Sequence, residues 1–302
     1  MNRKNKWIIY VIGLSFLLAG CMDNGVDEKQ DEVKEPYARV QDYKGKGYFL
    51  NNGDENDKIA EAKSGEVEKA VKDFFLENYK TEVVVHNLVG NVDGVTVFVE
   101  STEPVHFYST AIVPINPGTE EIMMEDVWTQ EDVVEKGIRE GLYRLVFETE
   151  FENLDKYLEN VVAEEAVVGR TVESLENVGG SGVMTPYYFM SSLFGDEAIK
   201  PVYELYMSNP NTSKEQLEKA FDQASFDEKN VRINIMLFME KENVPPDEEI
   251  LKKVTDDLKE MGAIPNGMYR VVVNDNGVHK ESFEGNKDNS IKNEIVRAES
   301  SD

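Results

Sequence analysis

The sequence predicts an α+β protein with antiparallel sheets and packed helices at both ends of the chain and a helical middle segment. Two observations support this fold class. Asp93-Gly94 and Asn276-Gly277 each separate two runs rich in β-branched residues, which is a strong hairpin signal. Apolar residues also recur at helical spacing between residues 126 and 207.

The first α+β segment covers residues 37–125. A helix is predicted at 64–79, and valine-rich runs at 82–90 and 95–100 flank the Asp-Gly turn as the strands of a hairpin. A third strand is predicted at 105–115. The helix is inferred from five apolar residues at helical spacing: Val67, Ala70, Val71, Phe74 and Phe75.

The middle segment, residues 126–207, is predicted to be helical. Glycines at 179, 180 and 182 predict a flexible break, and residues 187–207 predict another helix, interrupted near Gly195 and Pro201. Two apolar stripes precede the break: Val134, Ile138, Leu142 and Leu145, then Phe151, Leu154, Leu158 and Val161.

The last α+β segment covers residues 208–284. A short capped helix follows Thr212-Ser213, and the alternation at 231–237 predicts a strand. Pro245-Pro246 opens a helix that Gly262 ends, as prolines and glycines do at helix boundaries.

A second hairpin is predicted from residues 268–274 and 278–283 around the Asx-Gly turn. Residues 64–100 and 247–283 therefore share the order helix, strand, turn, strand, which leaves an internal duplication open. Residues 285–302 are polar and are predicted to be a frayed tail.

Residues 1–20 are predicted to be a cleaved signal peptide, since a basic start precedes a dozen mostly apolar residues. Leu18-Ala19-Gly20-Cys21 resembles the bacterial lipobox at every position. The resemblance implies S-diacylglyceryl modification of Cys21, with N-acylation left open, and anchoring on the extracytoplasmic face of a cell membrane. Residues 21–36 are predicted to be an acidic, disordered tether.

The charge excludes one class of partner. Cleavage would remove Arg3, Lys4 and Lys6, leaving 29 basic and 59 acidic residues and a formal charge of −30. Nucleic-acid binding needs a basic surface, so nucleic acid is not expected as a partner. Cys21 is the single cysteine, which excludes an intrachain disulfide.

No catalytic, metal or cofactor motif is recognisable. His86, His106 and His279 lack zinc-site spacing, and His86 is interpreted as a hydrogen-bonded, partly buried strand residue. No nucleophile motif is present, and the glycines at 179–182 do not match a phosphate loop. Residues 51–57 are rich in oxygen ligands but depart from an EF-hand, and are interpreted as a solvated loop.

The candidate binding surface is Tyr187, Tyr188 and Phe189. On a helix, three successive residues are about 100° apart and cannot all face the core. At least one ring is therefore expected to face outward, where it could contact a partner. Core packing of these rings is the competing interpretation.

Several stretches are similar to a family of uncharacterised lipoproteins of Gram-positive bacteria, a domain of unknown function. The resemblance covers nearly the whole mature chain and supplies no activity, cofactor or catalytic residue. It is carried by residues 40–48, 86–91, 107–111, 184–189 and 273–276.

The sequence thus predicts a membrane-anchored extracytoplasmic lipoprotein, a non-enzymatic surface-binding or envelope-associated protein whose protein partner is unknown. An extracytoplasmic hydrolase that uses carboxylates is the first alternative. A calcium-dependent surface module is the second.

Overall fold

The computed structural model describes residues 35–102, 104–192 and 196–298. The predicted signal peptide, Cys21 and all but the last two residues of the predicted tether lie outside the described residues. The described residues form one compact unit. No helix in the described ranges is long and apolar enough to cross a membrane.

The fold is α+β, as predicted. The helices are α1 (Asp54–Ala62), α2 (Ser64–Tyr79), α3 (Val133–Val146), α4 (Glu148–Glu164), α5 (Val172–Val178), α6 (Lys200–Ser208), α7 (Lys214–Ala220) and α8 (Glu248–Glu260). The strands are β1 (Tyr37–Arg39), β2 (Val83–Gly90), β3 (Gly94–Ser101), β4 (Tyr108–Asn116), β5 (Glu121–Ile122), β6 (Val167–Val168), β7 (Tyr188–Ser192), β8 (Val231–Met239), β9 (Gly267–Asn274), β10 (Gly277–His279) and β11 (Ile291–Arg297).

The first sheet has the order β2-β3-β4-β5, and every neighbouring pair is antiparallel. The predicted 82–100 hairpin is confirmed. Its turn is held by Asn91, whose Oδ1 accepts the N–H groups of Asp93 and Gly94 at 2.8 and 2.9 Å. Val95, Val97 and Val99 alternate along β3 and are buried in the core that also contains the apolar face of α2.

The apolar stripes predicted for the middle segment are confirmed on α3 and α4, where every stripe residue is buried except the partly buried Leu145. The helix predicted over 187–207 is wrong in its first half, because Tyr188–Ser192 form β7 and pair antiparallel with β8. Residues 233–239 of β8 are all buried, so β8 needs strand partners on both edges to satisfy its backbone. Pro201 lies in the first turn of α6 and starts that helix rather than interrupting one.

The second sheet has the order β11-β9-β8-β6, with β7 also paired to β8. Strands β8 and β9 are parallel, joined through α8, and the other pairs are antiparallel. The hairpin predicted over 268–283 is wrong. Both edges of β9 are occupied, by β8 and β11, and β10 pairs with β1 instead. The two ends of the chain therefore differ in topology, which argues against a duplication.

The turn before β10 is held in place by hydrogen bonds from the buried side chain of Asn276. The Nδ2 atom of Asn276 donates to Gln41 Oε1 and to the carbonyls of Met239 and Glu240. These bonds turn the chain away from β9 and toward β1.

The predicted frayed tail contains β11, which pairs with β9 over seven residues. Ile291 and Ile295 pack against the main core, which gives this polar segment enough apolar contact to order.

The predicted flexible break at 179–182 is also ordered at its end. Gly182 exchanges two backbone hydrogen bonds with Tyr108, at 2.8 and 2.9 Å. Its φ of +99° is one that glycine tolerates and other residues rarely adopt.

Candidate functional site

Of the predicted site residues, Cys21 lies outside the described residues, whereas the three aromatic residues are around β7. Tyr188 is 2% exposed, and its hydroxyl donates to Asp155 Oδ1 at 2.9 Å and accepts a hydrogen bond from Arg144. Burial raises the pKa of Tyr188 well above its ordinary value. Tyr188 thus joins α3, α4 and β7 inside the core.

Tyr187 and Phe189 are half-buried, so part of each ring remains available to solvent. The depression beside them has a volume of about 10 Å³, close to the least that one water molecule needs. A recognition surface at these two rings stays a prediction, and it would have to be flat rather than a pocket.

A larger concavity lies between α3, α8 and β11. We call it the aromatic cleft and define it by Tyr143, Phe147, Phe226, Ile264, Val296 and Arg297. Its volume is about 700 Å³, within the range of about 300–1,000 Å³ typical of small-ligand sites.

Aromatic rings form one wall of the cleft. Tyr143 stacks on Phe226 with 6.0 Å between ring centroids, and it also contacts Phe147 at 4.8 Å. Burial raises the pKa of Tyr143 well above its ordinary value, so its hydroxyl stays neutral. The wall is therefore apolar and uncharged, with one hydroxyl that can form hydrogen bonds.

The opposite wall is the loop between α8 and β9, which is held at two points. Asn153 Nδ2 donates to the carbonyl of Ala263 at 2.8 Å, and Tyr269 donates to the carbonyl of Pro265 at 2.6 Å. Because side chains of α4 and β9 fix this loop, the cleft is preformed.

Charges of both signs border the cleft. Lys259 and Arg297 are basic, and Glu150 and Glu260 are acidic. Arg297 donates to the carbonyl of Leu258, while its buried Nε has no partner among the described residues. Val296 is 51% exposed, so an apolar side chain lies at this end of the cleft.

Sequence reasoning did not identify this cleft. Tyr143 and Phe147 lie outside the predicted apolar stripes, and Phe226 lies in a segment for which no element was predicted. Only the folded chain brings residues 143, 226 and 296 together. Local spacing carried no signal of the cleft.

A second group of polar side chains lies on the first sheet. His86 Nε2 is 2.7 Å from Glu100 Oε2, and His106 Nε2 is 2.5 Å from Glu100 Oε1. Burial raises the pKa of Glu100, but the hydrogen bonds from His106 and His86 outweigh it and hold the pKa below its ordinary value. The interpretation of His86 as hydrogen-bonded and partly buried is confirmed.

Part of the oxygen-rich segment 51–57 has a structural role. Asp54 begins α1, so the predicted solvated loop is wrong for residues 54–57. Asp57 accepts the N–H of Gly90, and buried Asn56 donates to the carbonyl of Asn91 at 2.8 Å. These bonds fasten α1 to the hairpin turn.

One buried carboxylate lies apart from both sites. Glu140 is 1% exposed, and its two oxygens accept the backbone N–H groups of Val183 and Ser192. Burial raises the pKa of Glu140 to about 7, although these hydrogen bonds and Lys136 oppose the shift. It joins α3 to the segment before β7 and to β7 itself.

Comparisons with known proteins give a family and a fold. The family described as "Protein of unknown function (DUF1672)" matches residues 30–299. A crystal structure of a DUF1672 family protein from Staphylococcus aureus subsp. aureus Mu50 covers 88% of this chain and 99% of its own, with a TM-score of 0.72 and 17% identity. That likeness shows the fold alone. No curated protein matches this chain.

Proposed function

Since this chain belongs to the DUF1672 family, a family of unknown function, we propose its role from its own residues. It is a lipid-anchored protein on the outer face of a cell membrane, and it binds a ligand in the aromatic cleft without chemical conversion.

The anchor is supported by the sequence Leu18-Ala19-Gly20-Cys21 after an apolar run of signal-peptide length. Two acyl chains on Cys21 would hold the protein at the membrane, since each buried CH₂ contributes about 0.8 kcal/mol. The formal charge of the mature chain would oppose electrostatic adhesion to an anionic surface. Lipid is therefore proposed as the sole attachment.

Fractionation of expressing cells tests the anchor. Wild-type protein is expected in the membrane fraction after a high-salt wash and to label with a fatty-acid analogue. Cys21→Ser is expected to lose the label and to appear in the medium or as unprocessed precursor. A mature-sized Cys21→Ser protein that stays on salt-washed membranes would contradict the proposal.

The preformed cleft is the observation on which the binding role rests. Its aromatic wall offers apolar contact area, and Lys259, which also pairs with Asp256, and Arg297 offer directional polar contacts. Polar and charged side chains make up most of the accessible lining beside this aromatic wall, so the cleft suits a ligand that combines an apolar part with a polar group. We propose a ligand with an aromatic or branched apolar part and one polar or acidic group.

Blocking the cleft without disturbing the fold tests this role. A Cβ added at Gly262, which lines the cleft, meets no atom within 4 Å. Gly262→Trp should therefore place a ring in the cleft at little cost in stability. Gly65→Trp is the matched control, because Gly65 lies on α2 and its Cβ also meets no atom within 4 Å.

The probe is a library of aromatic and aliphatic carboxylic-acid fragments, screened by ligand-observed NMR. Fragments are expected to bind wild type and Gly65→Trp and to lose binding to Gly262→Trp. The cleft is not the site if no fragment binds wild type, or if Gly262→Trp binds them equally while melting at the wild-type temperature.

A further inference from the structure

Three side chains from three elements converge on the outer face of the first sheet. His86 lies on β2, Glu100 on β3 and Glu176 on α5. One ligand atom of each, the imidazole nitrogen and one oxygen of each carboxylate, lies within 4.8 Å of the other two. All three side chains are partly buried. Sequence spacing could not show this group, because 14 residues separate His86 from Glu100 and the hairpin brings them together.

The backbone positions these side chains specifically. The β2–β3 register shifts between Val85 and Asn87, so His86 is the extra residue of a β-bulge. Bulges redirect a side chain and are common next to functional sites. The following residue, Asn87, donates through Nδ2 to the carbonyl of Asn177 at 2.8 Å, which fixes β2 against the helix that carries Glu176.

Helix α5 is itself anchored at its start. The side chain of its N-cap, Thr171, accepts the N–H of Ser174 at 3.1 Å and donates to the carbonyl of Tyr43 at 2.6 Å. Glu176 therefore projects from a capped, tethered helix. Groups held on rigid elements suit a coordination site, where ligand positions must be defined to within about 0.5 Å.

A hydrogen bond between His86 and Glu100 would explain why these two side chains lie together. It does not explain why Glu176 lies close to both of them. Two carboxylates this close repel each other in a partly buried site. Among the described residues no lysine or arginine pairs with Glu100 or Glu176; Glu100 contacts His86 and His106, and both carboxylates lie near Tyr108, where they help burial to raise the pKa of its hydroxyl. A divalent cation would compensate both carboxylates.

We propose that His86, Glu100 and Glu176 bind one divalent first-row transition metal ion such as Zn²⁺. A neutral imidazole and two carboxylates would give a site of zero net charge with a 2+ ion. The imidazole favours zinc-like ions over Ca²⁺ and Mg²⁺, which prefer oxygen ligands. Three protein ligands leave a further position open for water or an exogenous group.

The two carboxylates need different adjustments: the Glu176 oxygen, which lies within 4.8 Å of the other two ligand atoms, would move closer by up to about 1.5 Å, whereas the His86–Glu100 pair changes little. Two ligands of a tetrahedral ion with bonds of about 2.0 Å are about 3.3 Å apart. The 2.7 Å separation of His86 Nε2 and Glu100 Oε2 would thus open by roughly half an ångström as the ion replaces the shared proton. His106, on the other Glu100 oxygen at 2.5 Å, would keep that carboxylate oriented, as partners of metal ligands commonly do.

Zinc chloride titrated into the tag-free full chain in detergent tests the site by calorimetry. Wild type is expected to bind one Zn²⁺, and an excess of CaCl₂ should not displace it. His86→Gln and Glu176→Gln should each weaken binding at least tenfold. His279→Gln is the matched control, since His279 lies on β10 outside the group, and it should bind like wild type.

A second measurement uses the wild-type chain alone, so it does not depend on whether the variants fold. The chain has three histidines, so their ¹⁵N side-chain NMR signals can be assigned individually. Zinc is expected to shift the Nε2 signal of His86 strongly and to leave His279 unchanged. The proposal is overturned if millimolar zinc leaves His86 unshifted, if zinc shifts His279 as much as His86, if calcium competes equally, or if Glu176→Gln binds like wild type.

Discussion

Replacing Glu140 by glutamine should remove a loss of stability that the wild-type chain undergoes as the pH rises from about 4.5 to about 7. The carboxyl is 1% exposed, and burial raises its pKa from 4.5 to about 7. Within this window the folded state holds a proton that the unfolded state releases. The contribution of the protonated Glu140 carboxyl to the free energy of unfolding is therefore complete below pH 4.5 and is lost as the pH approaches 7.

The size of the effect follows from the shift. One pKa unit corresponds to about 1.4 kcal/mol, so a shift from 4.5 to about 7 corresponds to about 3 kcal/mol of unfolding free energy. Above pH 7 the buried carboxylate remains, compensated by the N–H groups of Val183 and Ser192. Glutamine cannot ionise, so Glu140→Gln should lack this pH-dependent loss.

Urea unfolding at pH 5, 6, 7 and 8 measures the difference. Relative to Glu140→Gln, the wild-type chain should lose about 3 kcal/mol of unfolding free energy in total. Most of that loss should fall between pH 5 and pH 7. Subtracting the two chains cancels the titration of other groups. Glu164→Gln, at an exposed position on α4, controls for the removal of one negative charge. A difference between wild type and Glu140→Gln that stays constant from pH 5 to pH 8 would refute the reasoning.

Two further predictions concern the segment before and within β7. Tyr188→Ala should lower the unfolding free energy, measured in urea, by about 3–5 kcal/mol, whereas Tyr187→Ala and Phe189→Ala, at half-buried positions, should lower it clearly less. Equally large losses for all three variants would show that all three rings belong to the core and would exclude the predicted recognition surface. Gly182→Ala should lower the melting temperature, because φ is +99° and a Cβ there would overlap the Glu140 carboxylate. Gly180→Ala, at an exposed glycine with open surroundings, should melt like wild type, and equal effects of the two substitutions would contradict this explanation.

Elements fixed by local interactions could be predicted from the sequence. Helix α2 has the predicted bounds of 64 and 79, since its apolar face is encoded at helical spacing within one segment. The hairpin of β2 and β3 is encoded by valine runs around an Asp-Gly turn, so strand pairing and turn are specified within 19 residues.

Elements fixed by distant partners could not be predicted. β7 is extended because β8, about 40 residues later, needs a partner on that edge. β11 is polar in sequence and becomes a strand because β9 offers it a backbone edge. The same Asx-Gly signal that marks a hairpin at 93–94 marks none at 276–277, since β9 already has two neighbours. Local pattern does not report whether an edge is free.

The aromatic cleft and the His86–Glu100–Glu176 group share no residue, which makes the two proposals independently testable. The cleft is built by α3, α8 and β11, and the other group by β2, β3 and α5. His86→Gln should therefore weaken zinc binding without changing fragment binding, and Gly262→Trp should do the reverse. If one substitution abolished both, a general change in the fold would explain the losses better than two sites. A clean separation would assign each loss to its own residues and show that the two sites bind independently.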